Sequence, residues 1–284
     1  MKNLFISLVL SSATLFVAPM AVANTAFSSA QMAKIQVSSL SFKEIMHQFY
    51  SGQLTRTFIN DEDVAKMPNV GLGKPNKDNE STVALMRPVI SYKNAAKQPR
   101  YLVIIEKVSV DKEGLLVSCH ACGATADLYS FKKLPTGGFQ LVSRSPKNAG
   151  FSSSYGRVDL DGQEILKHLQ PLGKNLVGSI FKNGYVSGGV LENWWEVLLL
   201  PENDFIQVYG LGDAGSDNEG EYDTDSPLSY SYEGELQVIK KNDADYYPIK
   251  ITYVGDKPTK DYKKIKKVNY SQILHFDPIK HAYK

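Results

Sequence analysis

A two-residue hydrophobic period runs through the last part of the chain. Leu228, Tyr230, Tyr232, Leu236 and Val238 alternate with Ser229, Ser231, Glu233, Glu235 and Gln237. Tyr247, Ile249, Ile251 and Tyr253 repeat the pattern, as do Val268, Tyr270, Leu274 and Phe276. Successive side chains of an extended strand leave on opposite faces, so this period buries one face of a sheet and wets the other. A helix cannot use such a pattern. The C-terminal half is therefore expected to be an antiparallel sheet with one solvated side.

Earlier segments extend the β reading. Val83 to Tyr92 and Tyr101 to Val110 are rich in Val, Ile, Leu and Tyr, and Asp111 to Gly114 supplies a turn after the second. Both alternating sets within Leu102 to Ile105 are apolar, which predicts a strand covered on both faces. Leu128 to Leu134 and Phe139 to Arg144 flank Pro135-Thr136-Gly137-Gly138, a hairpin signal. Helices are few. Ser41 with Glu44 forms a capping box ahead of Ile45, Met46 and Phe49, and Gly52 ends that helix. A second, short helix is expected between a cap at Asn60 and Pro68, and residues 69–79 read as a loop. Asp161 and Glu164 open a third before Pro171.

The expected fold class is mainly β (α+β), with antiparallel sheets in two β-rich lobes, a helical N-terminal segment and one intervening helix. The divisions fall at residues 24–80 for the helical and loop segment, 81–160 for the first lobe, 161–175 for the helix and connection, and 176–284 for the second lobe.

Residues 1–23 carry a different signal. Lys2, a mostly apolar run from Leu4 to Val17 and Ala21-Val22-Ala23 form a secretory leader with cleavage expected after Ala23. No later segment approaches the roughly 20 apolar residues that a spanning helix needs. The expected location is the periplasm or the exterior, with no transmembrane segment in the mature chain. Charge is unevenly spread. From Asn183 to Ile239 there are twelve acids and no Lys or Arg, whereas Lys240 to Lys284 holds eleven Lys, no Arg and five acids. Nucleic acid is not an expected partner, because forked base and phosphate readers are usually arginines.

Most apparent catalytic motifs fail on context. Gly210, Gly212 and Gly215 spell Gly-x-Gly-x-x-Gly after a strand, yet acids follow where a helix N-terminus should receive a pyrophosphate. Those acids, including Asp213, Asp217, Glu219 and Glu221, invite calcium but miss the helix-loop-helix spacing; the stretch reads as an acidic loop and, with the Trp pair, is a candidate binding surface. Ser130 and Lys133 fit Ser-x-x-Lys, but on a strand they point to opposite faces. Glu44 and His47 share a helix face and supply two metal ligands at most. Trp194 and Trp195 are adjacent in a strand expected from Val190 to Leu200, so their rings leave on opposite sides and one could serve a sugar or a partner.

Both cysteines lie in Ser118-Cys119-His120-Ala121-Cys122-Gly123. In a strand, i and i+3 lie about 10 Å apart, whereas a disulfide needs Cα atoms within roughly 7 Å, so a bond requires a turn. Gly123 is expected to close it. An oxidising compartment favours a structural disulfide between Cys119 and Cys122. A redox pair and a metal site using a distant His47, His168, His275 or His281 are the alternatives. The absence of a following helix weakens the redox reading, and Gly123 stands where haem attachment needs His.

The Ser-Cys-His-Ala-Cys-Gly motif resembles one found in secreted bacterial proteins without assigned function. The hairpin containing Leu128-Tyr129-Ser130-Phe131-Lys132-Lys133 and Gly138-Phe139-Gln140-Leu141, and later Tyr246-Tyr247, belong to the same likeness. It implies a secreted β-rich protein and brings no catalytic residues. The functional expectation is a non-enzymatic periplasmic or secreted binding protein, of an inhibitor- or immunity-like kind, facing an envelope protein or cell-wall component. A thiol-disulfide oxidoreductase using Cys119 and Cys122 is the first alternative, and a calcium-dependent glycan-binding protein the second; no other cofactor is expected.

Overall fold

A computed structural model describes residues 27–147 and 149–284. The leader expected over residues 1–23 lies outside them. The N-terminal part contains helices α1 (Ser29–Ala33), α2 (Phe42–Tyr50) and α3 (Glu62–Ala65). Its strands are β1 (Gln36–Val37), β2 (Leu54–Thr55), β3 (Asn69–Leu72), β4 (Ser81–Met86), β5 (Ile90–Lys93), β6 (Pro99–Val110), β7 (Thr125–Lys133) and β8 (Phe139–Arg144). A ribbon, β9 (Ser153–Ser154) and β10 (Arg157–Val158), leads to α4 (Gly162–Lys167). The C-terminal strands are β11 (Leu169–Gly173), β12 (Leu176–Ser187), β13 (Val190–Leu200), β14 (Gln207–Asp217), β15 (Ser231–Val238), β16 (Ile249–Pro258) and β17 (Ile265–Leu274). Short strands β18 (Phe276–Asp277) and β19 (Ala282–Tyr283) pair at the end. The mainly β, antiparallel class read from the sequence holds.

The first sheet has the order β1-β8-β7-β6-β4-β3-β2, with β5 also beside β6. It is buried on both sides because its central strands are apolar at successive positions. Val103 and Ile105 point to a core closed by Ile45, Met46 and Tyr50 of α2, while Leu102 and Ile104 point to a second core. Ser41 caps α2 as expected, its hydroxyl accepting from the Glu44 amide, but the Glu44 carboxylate turns to Ser38 instead of closing a box.

The second sheet is a seven-stranded meander from β11 to β17, each strand paired with its sequence neighbour. One face of β12 and β13 lines the meander's own core through Ile180, Val197 and Leu199. The other face supplies Val177, Phe181, Leu198 and Leu200 to the core beneath the first sheet. The two β-rich parts therefore share a hydrophobic layer through β12 and β13. A period of two lets these strands serve two cores at once.

Four local expectations need correction. The strand expected over Val83 to Tyr92 is interrupted between β4 and β5, where Pro88 has no amide to give and Arg87 swings its side chain to Glu106. The segment 69–79 is not all loop, since β3 pairs with β4. Asp61, not Asn60, caps α3, because its carboxylate reaches the amides of both Asp63 and Val64. The acidic stretch after Gln207 is strand as far as Asp217. Gly210 and Gly215 border two bulges opposite Asn193/Trp194 and Trp195/Glu196, and Gly212 and Gly215 take positive φ there. The glycine spacing thus serves bulged backbone, a common use of glycine in a strand.

Candidate functional site

Cys119 and Cys122 are bonded, with Cα atoms 4.9 Å apart. The Cys122 amide donates to the Cys119 carbonyl at 2.9 Å, so the pair pins a four-residue turn between β6 and β7. Gly123 follows without positive φ, contrary to expectation; the glycine in the left-handed region belongs to the neighbouring ribbon. There Tyr155 (φ +49) and Gly156 (φ +74) form a two-residue turn, and the Gly156 amide donates to the Cys122 carbonyl at 2.8 Å. Such turns favour Asn-Gly, because a bulky residue is strained in the left-handed region. A tyrosine held there is an aromatic placed at a conformational cost.

The disulfide turn and the ribbon overhang the β12–β13 hairpin. The His120 ring meets Tyr155 edge-on at 5.3 Å and Tyr185 at 5.9 Å, and Tyr185 lies 6.1 Å from Trp194. These rings, with Ser152, Ser154, Asp159, Asn183 and Val186, line a groove of about 760 Å³. Two features recognised separately in the sequence, the cysteine turn through His120 and one member of the tryptophan pair, Trp194, are here brought together.

A buried carboxylate fixes the groove's lining. Glu196 is 8% exposed and accepts from Asn183 Nδ2 at 2.8 Å, from Trp194 Nε1 at 3.1 Å and from the Ser152 hydroxyl. All three donors belong to lining residues, one from the ribbon and two from the hairpin. Their polar atoms are committed inward, which leaves the Trp194 ring to offer area and little freedom. Asp159 also lines the groove; burial pushes its carboxyl above the usual Asp range, while a bond from Ser154 acts against that.

Trp195 points to the opposite face, where its indole donates to the Gly234 carbonyl at 2.8 Å beside the meander core. Asp213 is not part of an acidic loop: it accepts from Lys257 at 2.5 Å and Tyr232 at 3.0 Å, and that ammonium also lies 4.3 Å from the Tyr232 ring. Lys257 thus joins the acidic block to the lysine-rich one. Asp217 takes the Glu219 amide at 3.4 Å and ends β14. Glu221 lines a separate cavity of about 350 Å³ with Tyr185, Glu192, Tyr222, Tyr230 and Tyr262. Among the described residues, no group of three or more His, Cys, Asp or Glu is placed to hold a metal ion. No described helix is long and apolar enough to cross a membrane.

Known proteins offer no shortcut. No family model matches the chain, and neither a curated protein nor a solved structure matches it. The site is carried by its geometry alone.

Sequence reasoning missed Glu196, Tyr185 and Tyr155. Strand alternation signals Glu196, which shares a face with Trp194 and interrupts the apolar run toward Leu198 and Leu200. The same alternation places Tyr185 near Trp194 once the Gly188-Gly189 turn fixes the register. Tyr155 and His120 are different. Nothing local brings them to that hairpin.

Proposed function

We propose that this chain is a non-enzymatic binding protein of the periplasm or exterior, holding a partner in the groove between the disulfide turn and the β12–β13 hairpin. The observation carrying this reading is the convergence of Ser152, Asn183 and Trp194 on Glu196. A recognition surface gains affinity when its contact residues are ordered before the ligand arrives. The Cys119–Cys122 bond supports an oxidising compartment, and the leader read in residues 1–23 agrees with it. The partner is an envelope protein or cell-wall component, and an inhibitor- or immunity-like role fits a preformed groove.

Photo-crosslinking tests the reading. A photoreactive residue at Tyr185 should yield a defined adduct in envelope preparations, whereas the same residue at exposed Lys97 should not; equal labelling at both would overturn it. The disulfide separates this function from redox catalysis. Cys119→Ser with Cys122→Ser should cost about 2 kcal/mol by the chain-entropy model for so short a loop, and should leave the Tyr185 adduct in place. Insulin reduction by the unsubstituted protein at catalytic turnover, abolished in the double variant, would instead make the cysteines the active site.

A further inference from the structure

The outer side of β12 is paired only over its first residues. β11 pairs with Leu176 to Ser179, and among the described residues no backbone bond reaches that edge from Lys182 to Ser187. The outward-facing groups can be assigned. Gly188 and Gly189, at φ +58 and +83, form the two-residue turn of the β12–β13 hairpin. Such a turn makes Ser187 and Val190 a mutually bonded pair. Alternation from there aims the backbone of Ser187, Tyr185 and Asn183 at β13. It aims the N–H and C=O of Val186, Gly184 and Lys182 outward. The β11 register agrees: the same count sets Pro171, which has no N–H, opposite Val177, whose backbone faces β13.

This edge is not an open one. The groove of about 760 Å³ meets a second cavity of about 560 Å³ along it, and the two share Ser154, Asp159, Lys182, Asn183 and Gly184. The ribbon forms the far wall. Lys182 to Ser187 spans roughly 20 Å at about 3.3 Å per residue, enough for a short added strand. Proteins usually blunt free edges with lysine, proline or bulges. The meander's other edge follows that rule: β17 carries Lys266 and Lys267, and Lys263 and Lys264 precede it. The β12 stretch has one lysine, Lys182, and exposes Val186 and Tyr185.

Charge indicates what would lie there. The two cavities are lined by Asp159, Asp161 and Glu164 against Lys182 and Arg87, and Asp159, on the wall shared by both, makes no salt bridge among the described residues, although the Arg87 charge acts on it from the second cavity. We propose that the groove takes an extended polypeptide segment of the partner, added as a strand to the outer edge of β12, with a Lys or Arg side chain against Asp159. Apolar or aromatic residues at alternate positions of that segment pack on Tyr185 and Trp194. Main-chain bonds supply affinity and alternate side chains supply selectivity in this mode of binding. The proposal rests on the groove being the binding site.

The test selects peptides on the full chain from a random dodecapeptide display library. A selected peptide is then remade with alternate residues N-methylated, in each of two registers. One register should lose about tenfold or more in affinity and the other little, because only alternate amides face β12. Val186→Pro should lose binding similarly, since it deletes an outward N–H and leaves the β13 ladder intact, whereas Val186→Thr should bind within about twofold. Should Val186→Pro not fold, the N-methyl series decides alone. Equal binding of both N-methylated registers would overturn the proposal, as would amide-exchange protection on β17 instead of β12, or concentration-dependent pairing of two copies through β12. Failure to select any peptide while the Tyr185 adduct still forms would overturn strand addition and leave the groove reading standing; loss of both would remove the groove reading too.

Discussion

Two carboxylates are buried on either side of the Ser152–Val158 ribbon, and they are satisfied in opposite ways. Glu106, with a side chain 0% exposed, takes Arg157 Nε at 3.0 Å and Arg157 Nη2 at 2.8 Å, Arg87 Nε at 3.1 Å, and the Val158 amide at 2.7 Å. Arg87 also donates to the carbonyls of Val158 and Leu160. Among the described residues, Glu196 accepts only from neutral groups. A buried charge matched by cations and good hydrogen bonds clamps an element in place. One held by neutral donors fixes its neighbours' orientation without neutralising the site. The ribbon is thus clamped to the first sheet by Glu106 and tied to the groove by Glu196.

Breaking the clamp should have the largest effect. Glu106→Gln leaves two partly buried guanidinium groups facing a neutral amide and should cost about 3 kcal/mol or more in chemical denaturation. The pH profile identifies the cause. Burial raises the Glu106 carboxyl, but the Arg157 hydrogen bond, the Arg87 charge and the Val158 amide outweigh it and hold the group below the usual range. A folded value below the unfolded one gives stability that is present above about pH 4.3 and lost as pH falls through the folded value. That component of the acid limb should vanish in Glu106→Gln; an unchanged limb would show that other carboxylates govern it.

The Glu196 side of the comparison predicts a smaller loss of stability with a larger functional one. Glu196→Gln keeps one acceptor and turns an amide toward former donors, so it should cost about 1–2 kcal/mol and release Trp194 and Ser152. Crosslinking from Tyr185 should fall strongly while the fold persists. Unaltered crosslinking would break the link between Glu196 and the groove. The smallest effect should be a gain: Tyr155→Asn puts a residue suited to the left-handed region before Gly156 and should stabilise by about 1 kcal/mol. Melting should rise by a few degrees while groove binding weakens. A protein both more stable and equally competent would mean that the Tyr155 ring has no part in recognition.

Legibility in the sequence followed the range of the forces involved. The hairpin around Pro135 to Gly138 was readable because a turn and two flanking patterns suffice to define it. Val190 to Leu200 was readable as a strand, with the two Trp rings on opposite faces, by alternation alone. The Gly-x-Gly-x-x-Gly context argued against phosphate binding, but the bulges that employ those glycines depend on the register with β13. Asp213 looked like part of an acidic loop because its cation, Lys257, lies far away in sequence and arrives only through the meander.

The period-two patterns and turn residues by themselves determined that this chain makes antiparallel sheets, where its main hairpins fold and that its cysteines must bridge a turn if they bond. These depend on steric and hydrophobic preferences acting over a few residues. Only the tertiary structure decided that β12 and β13 serve two cores, that Glu106 and Glu196 bracket one ribbon, and that His120, Tyr155, Tyr185 and Trp194 line one groove beside the β12 edge, which over Lys182 to Ser187 has no strand partner among the described residues. Those groupings come from packing between distant segments, where burial and hydrogen bonding are settled between surfaces that no local pattern specifies.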